Sequence, residues 1–382
     1  MRGYENFGAV PKIVPRKPCC FTADGQWPAN YQTPSFLMLT LLDKGRMNLR
    51  AERILIIKPG AIGDLLHISP SLRALKQKLP DAHVDIMVGS QATKCLFEHN
   101  PNIRRVLYFD RKGEHRSLSA FAALWHEVHN ENYGLVINFQ RSTLKVWLLV
   151  MAAFPCRVLV YHKARHRRVH AVVNHLETLA PLGINVKDTD LNLELYLGEE
   201  DTQFATEQIP MAERGDKPLI ALNLGASNRI KCWSPQSFAQ LGDRLAGELG
   251  AGIILIGGPD ELDLAALVMN AALVKPLNLV GKMSLTQLGA VLHRCKLLVS
   301  GDTGPLHLAT AVGTRVIGLF GAIDPERTGP VGNGHRMIHH PEVPCVPCNG
   351  KKCHHIPYLE CMTRITVDEV VTVAKNMLFE EP

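Results

Sequence analysis

The chain has 382 residues, 46% of them hydrophobic, which is enough for two domains that each bury a core. Its formal net charge of +6 is modest for this length and does not indicate nucleic-acid binding. The longest apolar runs are too short for a membrane-spanning helix.

Residues 1–51 differ from the rest of the chain. They carry five prolines, no helical period and one short apolar run, Phe36–Leu42, which no small-residue cleavage pattern follows. Met47 lies just upstream of the first apolar strand pattern. We expect the segment to be a disordered extension, or one mis-assigned ahead of a natural start at Met47; the choice between Met1 and Met47 stays open.

The first motif follows a buried strand pattern at Ile54–Ile57. A Gly-bounded loop leads from Lys58 into a helix that begins near Asp64, and the buried face of this helix is marked by Leu65, Ile68, Leu72 and Leu75. Asp64 therefore sits at the carboxyl edge of a sheet, where α/β folds bind ligands. Its carboxylate suits either a helix cap or a general base.

Further apolar runs alternate with helical patterns in the first half, at Val84–Val88, Val106–Phe109, Leu135–Phe139 and Arg157–Val160. A dense basic cluster lies between Arg157 and His170 and includes Arg165 and Arg168. This cluster is either a solvated loop or a surface for an anionic acceptor or membrane headgroups.

A polar stretch from Gly183 to about Lys217 separates this half from a second α/β half. There the strand pattern Leu219–Leu222 enters a small-residue loop with Ser227 and Lys231, and a lysine on such a loop is either solvated or placed to stabilise a departing diphosphate. After the strand pattern Gly252–Ile256, Glu261 follows a Gly turn, so it either holds ribose hydroxyls or lies exposed on a helix.

The most informative motif is Ser300–Ala309, which lies between the strand patterns Leu297–Val299 and Val316–Leu319. Its tight turn brings backbone N–H groups, the Thr303 hydroxyl and a helix N-terminus to one point, which favours phosphate oxygens. Asp302 would repel a phosphate but suits a neighbouring sugar hydroxyl. The turn therefore indicates a nucleotide-sugar site, although a simple helix cap remains the alternative.

Four of the ten cysteines fall near the C-terminus, at Cys345, Cys348, Cys353 and Cys361. The Cys-x-x-Cys pair and the nearby histidines allow a structural zinc site, but the spacing is not that of a common zinc ribbon, so we favour free buried thiols. A last amphipathic helix is predicted at Thr366–Leu378.

The three loops together resemble the heptosyltransferases of glycosyltransferase family nine, over about residues 52–380. The resemblance implies that the Lys58–His67 loop, including Lys58 and Gly63, lies on the acceptor side with Asp64 as catalytic base. It implies that Lys231 contacts the diphosphate and that the donor pocket is lined by Asp302, Thr303, Gly304 and His307, with Ser227 in the lysine's loop. Leu224 and Cys232 depart from the family's usual residues in that loop.

The same resemblance implies a GT-B fold, in which two Rossmann-like domains with parallel sheets face each other across a cleft; periodicity alone shows only two α/β halves. We expect an acceptor domain at 52–195, a nucleotide-sugar domain at 196–365 that includes the Cys-rich segment 345–361, and a C-terminal helix at 366–382 that packs back on the first domain.

The implied activity is an inverting, metal-independent transfer of heptose from ADP-heptose to the inner core of lipopolysaccharide, on Kdo-lipid A or a heptosylated core, with no required cofactor. The enzyme would then be cytoplasmic and make transient contact with the inner membrane surface. A transferase or epimerase that uses another nucleotide sugar and a non-catalytic nucleotide-binding protein remain alternatives.

Overall fold

The computed structural model describes residues 53–111, 113–140, 144–161, 169–209, 217–226 and 228–379. All of them belong to one compact unit. The predicted N-terminal extension, residues 1–51, lies outside the described residues, as do Arg165, Arg168 and Ser227.

The first half is a parallel five-stranded sheet with helices on both faces. Its strands run in the order β3-β2-β1-β4-β5. They are β1 (Arg53–Ile57), β2 (His83–Val88), β3 (Arg105–Tyr108), β4 (Leu135–Asn138) and β5 (Arg157–Val160). The helices are α1 (Ile62–Leu66), α2 (Ser69–Lys78), α3 (Cys95–Glu98), α4 (Leu118–Asn130), α5 (Leu144–Ala152) and α6 (Ala171–Glu177).

The second half repeats this plan with a parallel six-stranded sheet in the order β11-β10-β9-β6-β7-β8. Its strands are β6 (Leu219–Asn223), β7 (Gly252–Ile256), β8 (Leu277–Asn278), β9 (Leu297–Gly301), β10 (Arg315–Phe320) and β11 (Arg336–His339). The helices are α7 (Glu199–Gln208), α8 (Pro235–Leu249), α9 (Leu262–Ala271), α10 (Leu285–Arg294), α11 (Gly304–Ala311), α12 (Pro325–Thr328), α13 (Glu360–Thr363) and α14 (Val367–Phe379).

Short 3₁₀ turns connect several of these elements. They lie at Gln91–Thr93, Glu114–Arg116, Ala180–Leu182, Val186–Asp188, Arg229–Lys231 and Pro259–Glu261. No helix in the described ranges combines the length and apolarity that crossing a lipid bilayer requires.

In each sheet the strand order reverses beside the first strand, between β1 and β4 in the first half and between β6 and β9 in the second. A crevice for ligands opens at such a point, outside the carboxyl ends of the strands. The two halves meet where α1 packs against α11. One apolar core therefore runs from the first sheet into the second, with Leu65 and Leu306 both fully buried in it.

The predicted strands are confirmed to within two residues. The sequence did not predict β8 and β11, which form the two edges of the second sheet, because β8 has only two residues and β11 is largely exposed. The helix predicted from Asp64 onward is instead two helices, α1 and α2, which break at His67–Ile68. Pro70 occupies the first turn of α2, where its missing N–H costs no hydrogen bond, so the sequence starts a new helix there.

The C-terminal helix was predicted at nearly its observed position, but the prediction that it packs back on the first domain is wrong. Helix α14 packs against α8 and β10 of the second half. Its buried residues Val370, Ala374 and Met377 join the core of the second sheet. Arg315 donates to the Met377 carbonyl and Lys375 pairs with Glu248, so polar contacts hold the helix on the same half.

Candidate active site

The loop after β1 holds Asp64 at the carboxyl edge of the first sheet. Asp64 lies in the first turn of α1 with its side chain exposed. Lys58 lies beneath the loop, 5% exposed, and its Nζ donates to the Phe139 carbonyl at 3.4 Å. Burial lowers the pKa of Lys58, and the Asp64 carboxylate partly opposes that shift. The placement supports a role for Lys58 in supporting the loop, and it does not support the predicted contact with an acceptor.

Two glycines bring the starts of α1 and α11 into contact. A Cβ on Gly63 would lie 2.5 Å from Cδ2 of His307, and a Cβ on Gly304 would lie 3.0 Å from Cβ of Ile62. Gly63 is therefore a packing residue against the second half, and its role on the acceptor side stays a prediction. Because these helices touch at their first turns, Asp64 lies beside the turn that leads into α11.

That turn follows β9 and is held by a buried amide. Nδ2 of Asn223 donates to Oγ of Ser300 at 3.0 Å, to Oγ1 of Thr303 at 3.1 Å and to the Gly225 carbonyl at 3.0 Å. Asn223 and Ser300 are buried. The sequence analysis assigned neither residue a role. Both lie at or next to the carboxyl end of a strand, where α/β sheets bind ligands, and this position is the signal that could have identified them.

Lys231 and Asp302 form an ion pair that joins the loop after β6 to the turn after β9. Lys231 Nζ lies 2.6 Å from Oδ2 of Asp302 and 3.3 Å from its backbone carbonyl. The two loops can approach this closely because the residue before Asp302 is a glycine: a Cβ on Gly301 would lie 2.8 Å from the Lys231 carbonyl oxygen. The predicted diphosphate-binding lysine and the predicted hydroxyl-binding carboxylate are thus brought together.

Glu261 lies against the same loop. Its Oε2 accepts a hydrogen bond from the Gly258 N–H at 2.6 Å, and a Cβ on Gly225 would lie 2.2 Å from its carboxyl carbon. The carboxylate therefore caps its own turn and also borders the loop that carries Lys231. Its role with ribose stays a prediction.

The sequence did not predict the pocket beside Asp64. It has a volume of about 400 Å³ and opens at the carboxyl edge of the first sheet. Its walls come from the loops after β1 to β4 and from α5: Pro59, Gly60, Gly89, Ser90, Phe109, Asp110, Arg111, Gln140 and Val146. A Cβ on Gly60 would lie 3.1 Å from Cβ of Asp64. Asp64 therefore lies next to the pocket wall at Gly60, and its chain neighbours Ile62 and Gly63 contact Gly304 and His307 of α11.

Three buried histidines lie where the halves meet. His67 Nε2 is 3.2 Å from His307 Nδ1, and the His67 and His170 rings lie 5.6 Å apart. His170 Nε2 lies 3.1 Å from the Gly329 carbonyl, so this nitrogen carries the proton. Burial lowers the pKa of His170 and of His307 to about 4 and the pKa of His67 well below its usual value. The rings are therefore neutral near pH 7.

The four C-terminal cysteines lie in one region. Burial, together with the neighbouring Cys345, Cys348 and Cys353, raises the pKa of the Cys361 thiol to about 11. Cys361 is buried, but Cys348 is exposed, so the expectation of buried thiols holds only in part. Across the described ranges, no group of three or more His, Cys, Asp or Glu side chains is placed to hold a metal ion. The choice between free thiols and a structural zinc stays a prediction.

Two Rossmann-like halves with parallel sheets meet at α1 and α11, each of which follows the first or a central strand at the carboxyl edge of its sheet, and this architecture is that of a GT-B glycosyltransferase. The sequence profile of glycosyltransferase family 9 (heptosyltransferase) matches residues 121–359, which is more than half of the chain. The chain belongs to this family.

Individual relatives agree with this assignment. The chain is 28% identical over 284 residues to lipopolysaccharide heptosyltransferase 3 of Escherichia coli strain K12, covering 69% of this chain and 80% of that protein. It resembles a family 9 glycosyltransferase from Veillonella parvula with a TM-score of 0.77 and 24% identity, covering 88% and 100% of the two chains. It also resembles an E. coli heptosyltransferase with ADP-2-deoxy-2-fluoro heptose, with a TM-score of 0.60, 21% identity and coverage of 85% and 99%. The predicted fold is confirmed.

Proposed function

We propose that the enzyme transfers a heptose from ADP-heptose to the inner core of lipopolysaccharide, with inversion at the anomeric carbon. The observation that supports this proposal is the position of Asp64 in the first turn of α1, next to Gly60 of the pocket and one residue after Gly63, which packs against His307 of α11. A base at that point can serve an acceptor on one side and a donor on the other.

The acceptor hydroxyl loses its proton to the Asp64 carboxylate as its oxygen bonds to the anomeric carbon. The bond from that carbon to the diphosphate oxygen breaks, and ADP leaves. Direct displacement from the opposite face inverts the anomeric configuration. The exposed side chain of Asp64 leaves its carboxylate accessible to such a hydroxyl.

The chain's own groups would stabilise the leaving diphosphate. Lys231 supplies a cation, and the first N–H groups of α11 add donors at the positive end of an eight-residue helix. Such groups aimed at developing negative charge contribute about 3 kcal/mol each to a transition state. Because the phosphate charge is met by these groups, we propose that transfer requires no metal cofactor.

The donor and acceptor assignments take support from the relatives. One structural relative is described with an ADP-heptose analogue, and one sequence relative is named for lipopolysaccharide. In the pocket, Arg111 offers a cation, and Ser90 and Gln140 offer hydrogen-bonding groups, which suits an anionic, hydroxyl-rich core sugar such as Kdo-lipid A or a heptosylated core. We further propose that the enzyme works at the cytoplasmic face of the inner membrane.

The test is transfer from ADP-heptose and from UDP-sugars to Kdo-lipid A and to a heptosylated core, followed by ADP release and product mass. We expect ADP-heptose alone to serve as donor. Asp64→Asn should reduce turnover at least about a hundredfold and leave ADP affinity unchanged. Asp81→Asn, at an exposed carboxylate in the turn before β2, is the matched control. Transfer from a UDP-sugar without response to ADP-heptose would overturn the donor assignment.

A further inference from the structure

Helices α4 and α5 of the first half present apolar side chains to solvent. Leu118 begins α4 with 88% of its surface exposed, and Leu144 begins α5 with 78% exposed. Trp147, Leu148 and Met151 continue the exposed set along α5 at helical spacing, while Val146 and Leu149 are buried in the core. These five exposed residues, Leu118, Leu144, Trp147, Leu148 and Met151, are called the α4–α5 face below.

Two contacts hold the helices together as one surface. Lys145 Nζ donates to the His115 carbonyl at 3.1 Å, next to the start of α4, and lies 5.5 Å from the centre of the Phe121 ring. Trp125 Nε1 donates to the Leu148 carbonyl at 3.1 Å. The exposed leucines at the two helix starts therefore belong to a single surface with fixed geometry.

This surface is continuous with the pocket beside Asp64. Helix α4 follows β3 and α5 follows β4, so both helices begin at the carboxyl edge where the pocket opens. Val146 lines the pocket, and its chain neighbour Trp147 is exposed on the outer side of the same helix turn. A molecule held in the pocket thus lies next to the α4–α5 face.

Basic residues border this face. Arg111 and Arg116 are exposed just before α4, and Lys145 lies in the first turn of α5; the acidic Asp110 and Glu114 lie in the same loop, where Glu114 accepts from the Tyr108 hydroxyl. Helix α5 carries no acidic residue. The chain leaves β5 at this same sheet edge through Tyr161, and the next seven residues carry Lys163, Arg165, Arg167 and Arg168.

We propose that the α4–α5 face docks on a lipid bilayer with anionic headgroups and so brings the pocket to a membrane-anchored acceptor. Apolar side chains that include a tryptophan enter the headgroup region, while the bordering cations attract anionic lipid. The anionic acceptor surface complements this positive border, whereas a second copy of the chain would bring like charges together. The inference deepens the proposed function, because it assumes that the acceptor is lipid-anchored.

The experiment is co-sedimentation of the full chain with vesicles of phosphatidylethanolamine and phosphatidylglycerol, and with vesicles of phosphatidylcholine alone. We expect binding to the anionic vesicles, weakened by salt, and a blue shift of tryptophan emission that Trp147→Phe removes. The double substitution Leu144→Ser and Trp147→Ser should reduce the partition coefficient at least about tenfold, since two apolar side chains no longer enter the lipid.

Leu273→Ser is the matched control, because Leu273 is 87% exposed but lies after α9 in the second half. Its vesicle binding should equal that of the wild type, and circular dichroism melting should show that all variants remain folded. Equal vesicle binding of the double variant and the wild type would overturn the proposal. A wild-type dimer that dissociates in the double variant would do so as well, because it would show that a second copy covers the face.

Transfer to a deacylated, water-soluble core oligosaccharide separates this inference from the proposed function. The double variant should keep this activity and lose transfer to acceptor embedded in vesicles. If the wild type transferred heptose to neither acceptor, the proposed function would fail while vesicle binding could still be measured. If the double variant transferred to both acceptors as the wild type does, the docking surface would be wrong.

Discussion

Lowering the pH from 7.5 to 5 is expected to destabilise the protein through the histidines between its two halves. Burial holds the pKa of His170 and of His307 at about 4, against 6.5 in the unfolded chain. Asp302 opposes the shift at His307, and Lys231 and His170 add to it. Between pH 6.5 and 4 the unfolded chain binds more protons than the folded one, so stability is complete above 6.5 and falls with the pH below it.

The size of this loss of stability follows from the pKa shifts of His170 and His307. At pH 5 the solution is 1.5 pH units below the pKa of a histidine in the unfolded chain, whereas the folded ring is still neutral. Each ring therefore lowers the free energy of unfolding by about 2 kcal/mol, at 1.36 kcal/mol per unit. His170 and His307 together thus cost about 4 kcal/mol. Protonating the rings would also break the His67–His307 contact and the packing of α1 on α11, because both rings would then carry charge.

Urea unfolding at pH 5, 6 and 7.5 measures this effect as a difference between variants. His170→Gln and His307→Gln should each flatten the pH dependence by about 2 kcal/mol between pH 7.5 and 5, whatever their absolute stability. His126→Gln, at an exposed ring on α4, is the control and should keep the wild-type dependence. The reasoning is refuted if His170→Gln and His307→Gln lose stability with acid as steeply as His126→Gln.

Three further outcomes are expected. Lys231→Ala should weaken ADP binding and reduce turnover, with about 3 kcal/mol lost in the transition state, while Lys282→Ala, at an exposed lysine, should change neither in calorimetry and kinetics. Gly63→Ala should cost about 1–3 kcal/mol of stability through its clash with His307, whereas Gly247→Ala, which meets nothing within 4 Å in α8, should be neutral or stabilising in urea unfolding. EDTA should leave transfer intact in protein that circular dichroism shows to be folded; loss restored by Mg²⁺ would contradict the metal-independent mechanism.

The sequence by itself determined the strands other than β8 and β11, and the order of the motifs. Apolar runs such as Ile54–Ile57 and Gly252–Ile256 define central parallel strands, because a strand covered on both faces needs no polar alternation. Turn and helix signals placed Asp64, Lys231 and Asp302 at carboxyl edges of strands, where parallel sheets bind ligands. These features depend on local residue types and on their spacing, which can be read from the sequence alone.

Only the tertiary structure determines which residues that are distant in the sequence come into contact. His67 and His307 are 240 residues apart and meet because Gly63 and Gly304 let α1 and α11 touch. The pocket is lined by residues from four separate loops and a helix, so no single segment of the sequence could predict it. Helix α14 was predicted almost residue by residue, yet its partner was not: an amphipathic face needs an apolar surface, and nothing in its own sequence says which half provides it.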